Sequence, residues 1–394
     1  VKSLGLSLRR WAVGTAAAAL VVGAGGCTGY SAPNGHPASI SLTGLISGPS
    51  PVRPLPPSFH ADCGAPITYR VIEPGFGSDW SKTYNRIAFN MKGPDGLYHV
   101  YTVRPDGADL TRFGVNNPDF PDRTTGSPSW DPTAPYMAFV AEKAVHPGRS
   151  NLATPGWGGY SDLWVATADG SRVWRLTDVP DDANHGTILP QFSPNGKLLE
   201  WTERVEAPDV LRTVQAAGFW VIKVARFNVS ATGVPYLTDV QTVSPGGLAF
   251  NETGGFSADS TTMLFTSDFE TQNFWYSQIY SLNLSTGQIR QLTSGHNYNE
   301  HPRFTPDGRI IWMSSLDEPH AIEWWIMNAD GSDPSRLSSF NSPSTQPHLA
   351  RAAYPTVVDT DSWSADGTFF YGDVETSLIT AASVIVRVSL TCPS

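Results

Sequence analysis

Three carboxylates recur at one offset. Glu252, Glu300 and Asp359 each stand four residues before an aromatic (Phe256, Phe304 and Trp363), and each aromatic opens a similar turn. Equal offsets in a repeat place side chains at equal depth, so these carboxylates are expected to converge on one channel mouth. His301 follows Glu300 directly, and His185 lies in an earlier loop. Oxygen ligands alone suit Ca²⁺ or Mg²⁺, while an added imidazole admits Mn²⁺ or Zn²⁺. The chemistry expected is a divalent cation (Ca²⁺ or similar) or a water-filled acidic mouth.

The surrounding loops are acidic. They hold Asp119, Asp122, Asp178, Asp181, Asp182, Asp268, Glu270, Asp317 and Glu318, against fewer bases such as Arg123, Lys143 and Arg149. Such a mouth attracts cationic ligands or basic peptide segments. Phe120, Trp157, Phe274, Trp275, Tyr276 and Tyr298 share these loops, and exposed rings among few charges fit contact with peptide or sugar. Covalent chemistry has no visible carrier: there is no G-x-S-x-G, H-E-x-x-H, phosphate loop or dinucleotide fingerprint.

A repeat positions these residues. Phe192-Ser-Pro-Asn-Gly196 precedes KLLEWTE, Phe304-Thr-Pro-Asp-Gly308 precedes RIIWMSS, and Trp363-Ser-Ala-Asp-Gly367 precedes TFFYGD. Phe256-Ser-Ala-Asp-Ser260, Trp130-Asp-Pro-Thr and a degenerate copy at Trp80 complete the series, with spacings of 50, 62, 64, 48 and 59 residues. A second hairpin follows most copies, as in DLWVATADGSRVWRLT and QIYSLNLSTGQIRQLT. Asp-Gly and Asn-Gly between alternating apolar runs predict type I′ turns. Each repeat then holds four short strands, a to d, with tight a–b and c–d turns and longer b–c and d–a loops on the opposite face. Four-stranded repeats of this length are propeller blades.

The motifs resemble the PD-type, WD-repeat-like blades of the TolB-like propellers. The resemblance covers nearly all of 63–394 and implies an all-β, six-bladed β-propeller of four-stranded antiparallel blades. In the last blade only strands a (361–364), b (368–373) and c (383–390) follow the signature. The unassigned run 67–73, ITYRVIE, is expected to supply strand d and close the ring. Cys392 then falls just past c and Cys63 just before d, which predicts a disulfide in place of the missing turn.

The chain begins with Lys2, Arg9 and Arg10, then an uncharged run, then Ala24-Gly25-Gly26-Cys27. A basic start, an apolar core and small residues read as a secretory signal over 1–26. The last four residues resemble a bacterial lipobox, which implies lipid on Cys27 and anchoring on the extracytoplasmic face of a membrane. Residues 27–62, rich in Gly, Pro and Ser, are expected to form a flexible tether.

Composition narrows the partners. Among 394 residues, 16% are charged and the net charge is −10. A general nucleic-acid binder would be basic, so that class is excluded. The expected function is a monomeric, non-catalytic binding or scaffold module for an envelope protein, peptide or glycan. The alternative is a metal-assisted lyase or hydrolase at the acidic mouth.

Overall fold

The computed structural model describes residues 67–390 apart from 146–147, 149, 209–216, 318–320, 342–354, 357–361 and 378–381, together with Ile40, Leu42 and Leu45. Cys27, Cys63, Cys392 and Asp359 lie outside the described residues, so the expected lipid site, disulfide and third carboxylate do too.

Strand β1 (Thr68–Pro74) precedes the first complete blade, which comprises β2 (Phe76–Ser81), β3 (Arg86–Lys92), β4 (Tyr98–Val103) and β5 (Thr111–Arg112). Blade 2 is β6 (Thr125–Trp130), β7 (Tyr136–Glu142), β8 (Ser161–Thr167) and β9 (Val173–Arg175). Blade 3 is β10 (Gly186–Phe192), β11 (Leu198–Glu206), β12 (Phe219–Val229) and β13 (Pro235–Thr242). Blade 4 is β14 (Asn251–Phe256), β15 (Thr262–Ser267), β16 (Gln278–Asn283) and β17 (Ile289–Gln291). Blade 5 is β18 (Asn299–Phe304), β19 (Ile310–Ser314), β20 (Glu323–Met327) and β21 (Ser335–Arg336). The last blade is β22 (Pro355–Thr356), β23 (Phe369–Ser377) and β24 (Ala382–Ser389), with β1 as its outer strand. All pairings are antiparallel, and the chain is a six-bladed β-propeller.

The closure follows the sequence expectation. Thr68 faces Ser389 and Val71 faces Val386, so the two ends of the described chain share one sheet. The innermost strand of this blade differs: β22 lies at Pro355–Thr356, and Trp363 contributes a single bridge to Phe370.

The turn signature forms a different turn from the one expected. In Thr167–Arg172 the Gly170 N–H donates to Thr167 O and the Thr167 N–H to Arg172 O, and of the residues between only Gly170 has positive φ (+71°). That is a type I turn closed by a glycine bulge, not type I′. The reason is the acidic residue before the glycine. Asp169 Oδ1 accepts the Ser171 N–H at 3.0 Å, and Asn195, Asp259, Asp307 and Asp366 accept likewise in their own turns. An Asx side chain satisfies the turn's amide only when it stands where the signature puts it.

The hydrophobic core is a set of slabs between blades rather than one centre. Ala88, Val100, Trp130 and Phe139 fill the space between blades 1 and 2. Ile311, Trp324, Trp363 and Phe370 fill that between blades 5 and 6. Between blades 3 and 4 the slab admits a visitor. Leu45, 3% exposed, packs with Leu198, Ile222 and Phe265, and Ile40 and Leu42 lie beside it. Ile40 N–H also donates to Gly287 O in the turn between β16 and β17. Part of the stretch expected to be a free tether is therefore seated on the propeller, at its tight-turn end.

The inner strands carry a bulge that prepares the site. The register slips between Phe76 and Asp79, Gly126 and Ser129, Ile188 and Gln191, Thr253 and Phe256, and Glu300 and Arg303. Within it Gly77, Ser127, Leu189 and His301, each three residues before the blade aromatic, take positive φ of 48–63°. Side chains of the preceding blade meet the bulge. Asp373 Oδ1 accepts the Gly77 N–H at 2.9 Å, Asn90 Oδ1 the Ser127 N–H at 2.7 Å, and Thr202 Oγ1 the Thr253 N–H at 3.0 Å. Glu200 Oε1 accepts the Gly255 N–H at 2.8 Å.

Candidate functional site

The residues singled out in the sequence meet in part. Glu252 is the second residue of β14 and Glu300 the second residue of β18, on the innermost strands of adjacent blades. Successive residues of a regular strand point to opposite faces, so Glu300 and His301 should diverge. The bulge removes that alternation. His301 Nε2 lies 3.1 Å from Glu252 Oε2 and 3.8 Å from Glu300 Oε2. One donor atom from each of the three side chains falls within a 4.8 Å span.

The trio is enclosed: Glu252, Glu300 and His301 are 1%, 0% and 1% exposed. Tyr298 explains part of the closure: its hydroxyl donates to Glu300 Oε2, and its ring packs on Phe274 at 5.3 Å and Trp275 at 6.1 Å. Phe274 in turn meets Phe250 edge-on at 4.9 Å. Phe274 (1% exposed) and Tyr298 (6% exposed) are core residues on this face rather than exposed contact rings, and Trp275 is half-buried beside them. Apolar surface on a loop folds inward when a neighbouring ring offers burial.

Burial sets the charge state. Loss of solvation first, and then the neighbouring Glu252 charge, holds the Glu300 carboxyl well above the usual range, against the opposing pull of the Tyr298 hydrogen bond. Glu300 Oε1 accepts no hydrogen bond, and Glu252 Oε2 is paired with His301 Nε2. A second buried carboxyl stands nearby in sequence. Asp268, at the start of the loop after β15, accepts the Phe250 N–H at 2.8 Å and is pushed up to about 7 by burial.

His185 and Trp157 belong elsewhere. His185 Nδ1 lies 2.8 Å from Asp182 Oδ1, and the pair is partly exposed. The Trp157 carbonyl accepts from Arg204 Nη1 at 2.8 Å, while Arg204 Nη2 holds Ala183 O at 2.6 Å. Arg204 thereby ties two loops together; burial lowers its pKa to about 10.

Sequence reasoning missed the residues that orient the trio. Asn251 and Asn299 precede Glu252 and Glu300 and do the same work twice. Asn251 donates to Trp220 O at 2.8 Å and accepts from Ser267 Oγ at 2.8 Å. Asn299 donates to Gln278 Oε1 at 3.1 Å and accepts from Ser314 Oγ at 2.8 Å. Each joins the third strand of the preceding blade to the second strand of its own. The repeated Asn-Glu pair, at one offset from Phe256 and Phe304, is the signal that marks them.

Fold and site together define a closed six-bladed propeller with a buried two-carboxylate, one-imidazole cluster between blades 4 and 5. No protein-family model matches the chain. Among solved structures it resembles TolB from Acinetobacter baumannii, with 16% identity, 77% of this chain and 63% of that one covered, and a TM-score of 0.47. It also resembles a putative TolB from Agrobacterium tumefaciens (14%, 82% and 97%, 0.49) and prolyl oligopeptidase B from Galerina marginata (9%, 83% and 41%, 0.49). Among curated proteins it is 20% identical over 241 residues to an uncharacterized peptidase, YuxL, of Bacillus subtilis strain 168. That match takes in 57% of this chain and 29% of the peptidase, so the chain spans under a third of that relative's length.

Proposed function

We propose that this chain is an exported, lipid-anchored propeller that acts as a non-catalytic binding module for a protein, peptide or glycan at the cell envelope. The observation that carries the reading is the surface of the long-loop face. Val145, Leu248, Tyr276 and Leu316 are 62%, 53%, 36% and 42% exposed on the b–c and d–a loops of blades 2 to 5. Asp317 stands beside Leu316, and Asp122 and Asp181 lie on neighbouring d–a loops. Apolar side chains among acids on loops held by a rigid ring form an amphipathic rim suited to a partner segment with basic and apolar residues. The metal-assisted lyase or hydrolase reading needs ligands that a substrate can reach, and the candidate ligands are at most 1% exposed.

Site-specific photo-crosslinking in cells tests this reading. A crosslinker at Tyr276 or Leu316 should capture a discrete envelope partner, and one at Tyr84 or Leu110, on the tight-turn face, should not. Equal capture from both faces, or none from the loops, overturns it. Anchoring is tested separately: Cys27→Ser should release the protein from the membrane fraction or block its processing. Unchanged detergent-requiring association in that variant removes the lipid-anchor part of the reading.

A further inference from the structure

We propose that Glu252, Glu300 and His301 bind one zinc-class divalent cation, Zn²⁺ or Mn²⁺, as a structural staple between blades 4 and 5. The spacing of the donor atoms suits an ion. Zinc bonds of ~2.0–2.1 Å in a tetrahedron put neighbouring ligand atoms ~3.3–3.4 Å apart. The His301 Nε2 separations of 3.1 and 3.8 Å from the two carboxylates bracket that edge. The second observation is independent of the cluster's composition. Glu300 Oε1 belongs to a side chain 0% exposed and accepts no hydrogen bond, while Glu252 Oε2 meets His301 Nε2 at 3.1 Å. A buried carboxylate oxygen without a donor is costly, and a cation beside it would remove that cost.

The donor set selects the ion. Ca²⁺ takes six to eight oxygens and Mg²⁺ a hydrated octahedron. Two carboxylates with one imidazole match the borderline preference of Zn²⁺ or the carboxylate preference of Mn²⁺. A divalent charge balances two carboxylates. The outer partners are in place: Tyr298 donates to Glu300 Oε2, as ligating carboxylates in metal sites are commonly held. Burial assigns a structural role, because a substrate has no path to ligands this enclosed. The ligands come from β14 and β18, so the ion would join the inner strands of two blades. This inference is independent of the binding role of the loop face.

The test uses the whole purified protein after treatment with EDTA. Zinc chloride should bind with a stoichiometry of one per chain by calorimetry and elemental analysis, and should raise the melting temperature. The double variant Glu252→Gln/Glu300→Gln and the single variant His301→Gln should each weaken zinc binding by at least ~100-fold. His185→Gln should leave it unchanged, which separates this site from the exposed His185–Asp182 pair. Cobalt(II) loading of the unmutated protein gives a readout that no variant's folding can confuse: a visible spectrum of an ion with nitrogen and oxygen ligands, bleached by stoichiometric zinc. Anomalous diffraction at the zinc edge should place the peak among these three side chains. Absence of saturable binding overturns the staple, as does full retention of zinc by the double variant or an anomalous peak at His185 alone.

Discussion

The two ends of the propeller use the same acidic side chains in opposite ways. At the tight-turn end, hydrogen bonds from Thr167 and Ser171 lower the Asp169 pKa to about 2, and those from Ser332 and from Ser364 and Thr368 lower Asp330 and Asp366. These carboxylates stand in solvent and accept the amides that close each hairpin. Toward the long-loop end, burial pushes Asp268 and Glu375 up to about 7 and holds Glu300 and Asp373 well above the usual carboxylate range. One population serves as anionic turn closures; the other is stored where an anion is unwelcome. A fold repeated six times gives each position a fixed solvent environment, and that environment decides what a carboxylate there can do.

The largest test of this contrast is the buried end. Asp268 has an ordinary pKa of 3.8 and a folded one of about 7, so the folded state holds its proton over that range while the unfolded state releases it. Its contribution to stability is complete below pH ~4 and is lost as pH rises to ~7. Asp268→Asn keeps the acceptor for the Phe250 N–H and removes the ionisation. Urea midpoints of the two proteins should coincide near pH 4 and part by pH 8, the variant being more stable by at most ~4 kcal/mol. A variant less stable at pH 8 would show that Asp268 is held as an anion.

An intermediate effect is expected where a neutral side chain does the buried work. Asn90 is 2% exposed, and its Oδ1 accepts the Ser127 N–H across the seam between blades 1 and 2. Asn90→Ala leaves that amide unpaired and should cost roughly 1–3 kcal/mol by urea denaturation, independent of pH between 4 and 8. A pH-dependent loss would mean that neighbouring carboxyls share the role. The smallest effect belongs to the turn end. Asp169→Ala should cost less than ~1 kcal/mol at pH 7, since the side chain stands largely in water. That loss should shrink as pH falls from ~4 to ~2, the reverse of the slope at Asp268. A flat profile would show that the turn holds without its charge.

Much of this architecture was legible in the sequence because the turn signature is local chemistry. Ser-Pro-Asn-Gly and its variants mark the a–b turns, and counting strands from them assigns 67–73 to the last blade. The turn type was misread because Asp-Gly alone does not say whether the acid takes positive φ; the Asp169–Ser171 hydrogen bond decides against it. The convergence of Glu252 and Glu300 was readable from their shared offset. Their burial was not, since no local rule says that Tyr298 and Phe274 fold over them. The seating of Leu45 was equally hidden: three apolar residues amid Pro, Gly and Ser become ordered only because a slab between two blades is there to receive them.

That seating has a mechanical consequence. β1 is antiparallel to β24, with Thr68 opposite Ser389, so tension on the two chain ends would peel the closing pair one hydrogen bond at a time instead of shearing all of them together. Ile40, Leu42 and Leu45 come earlier in the chain and grip blades 3 and 4, away from that pair. A pull delivered from the N-terminal side therefore loads this grip first. Only after it slips does the load reach Thr68. The short segment is a strain relief, like the clamp that holds a cable before its solder joint.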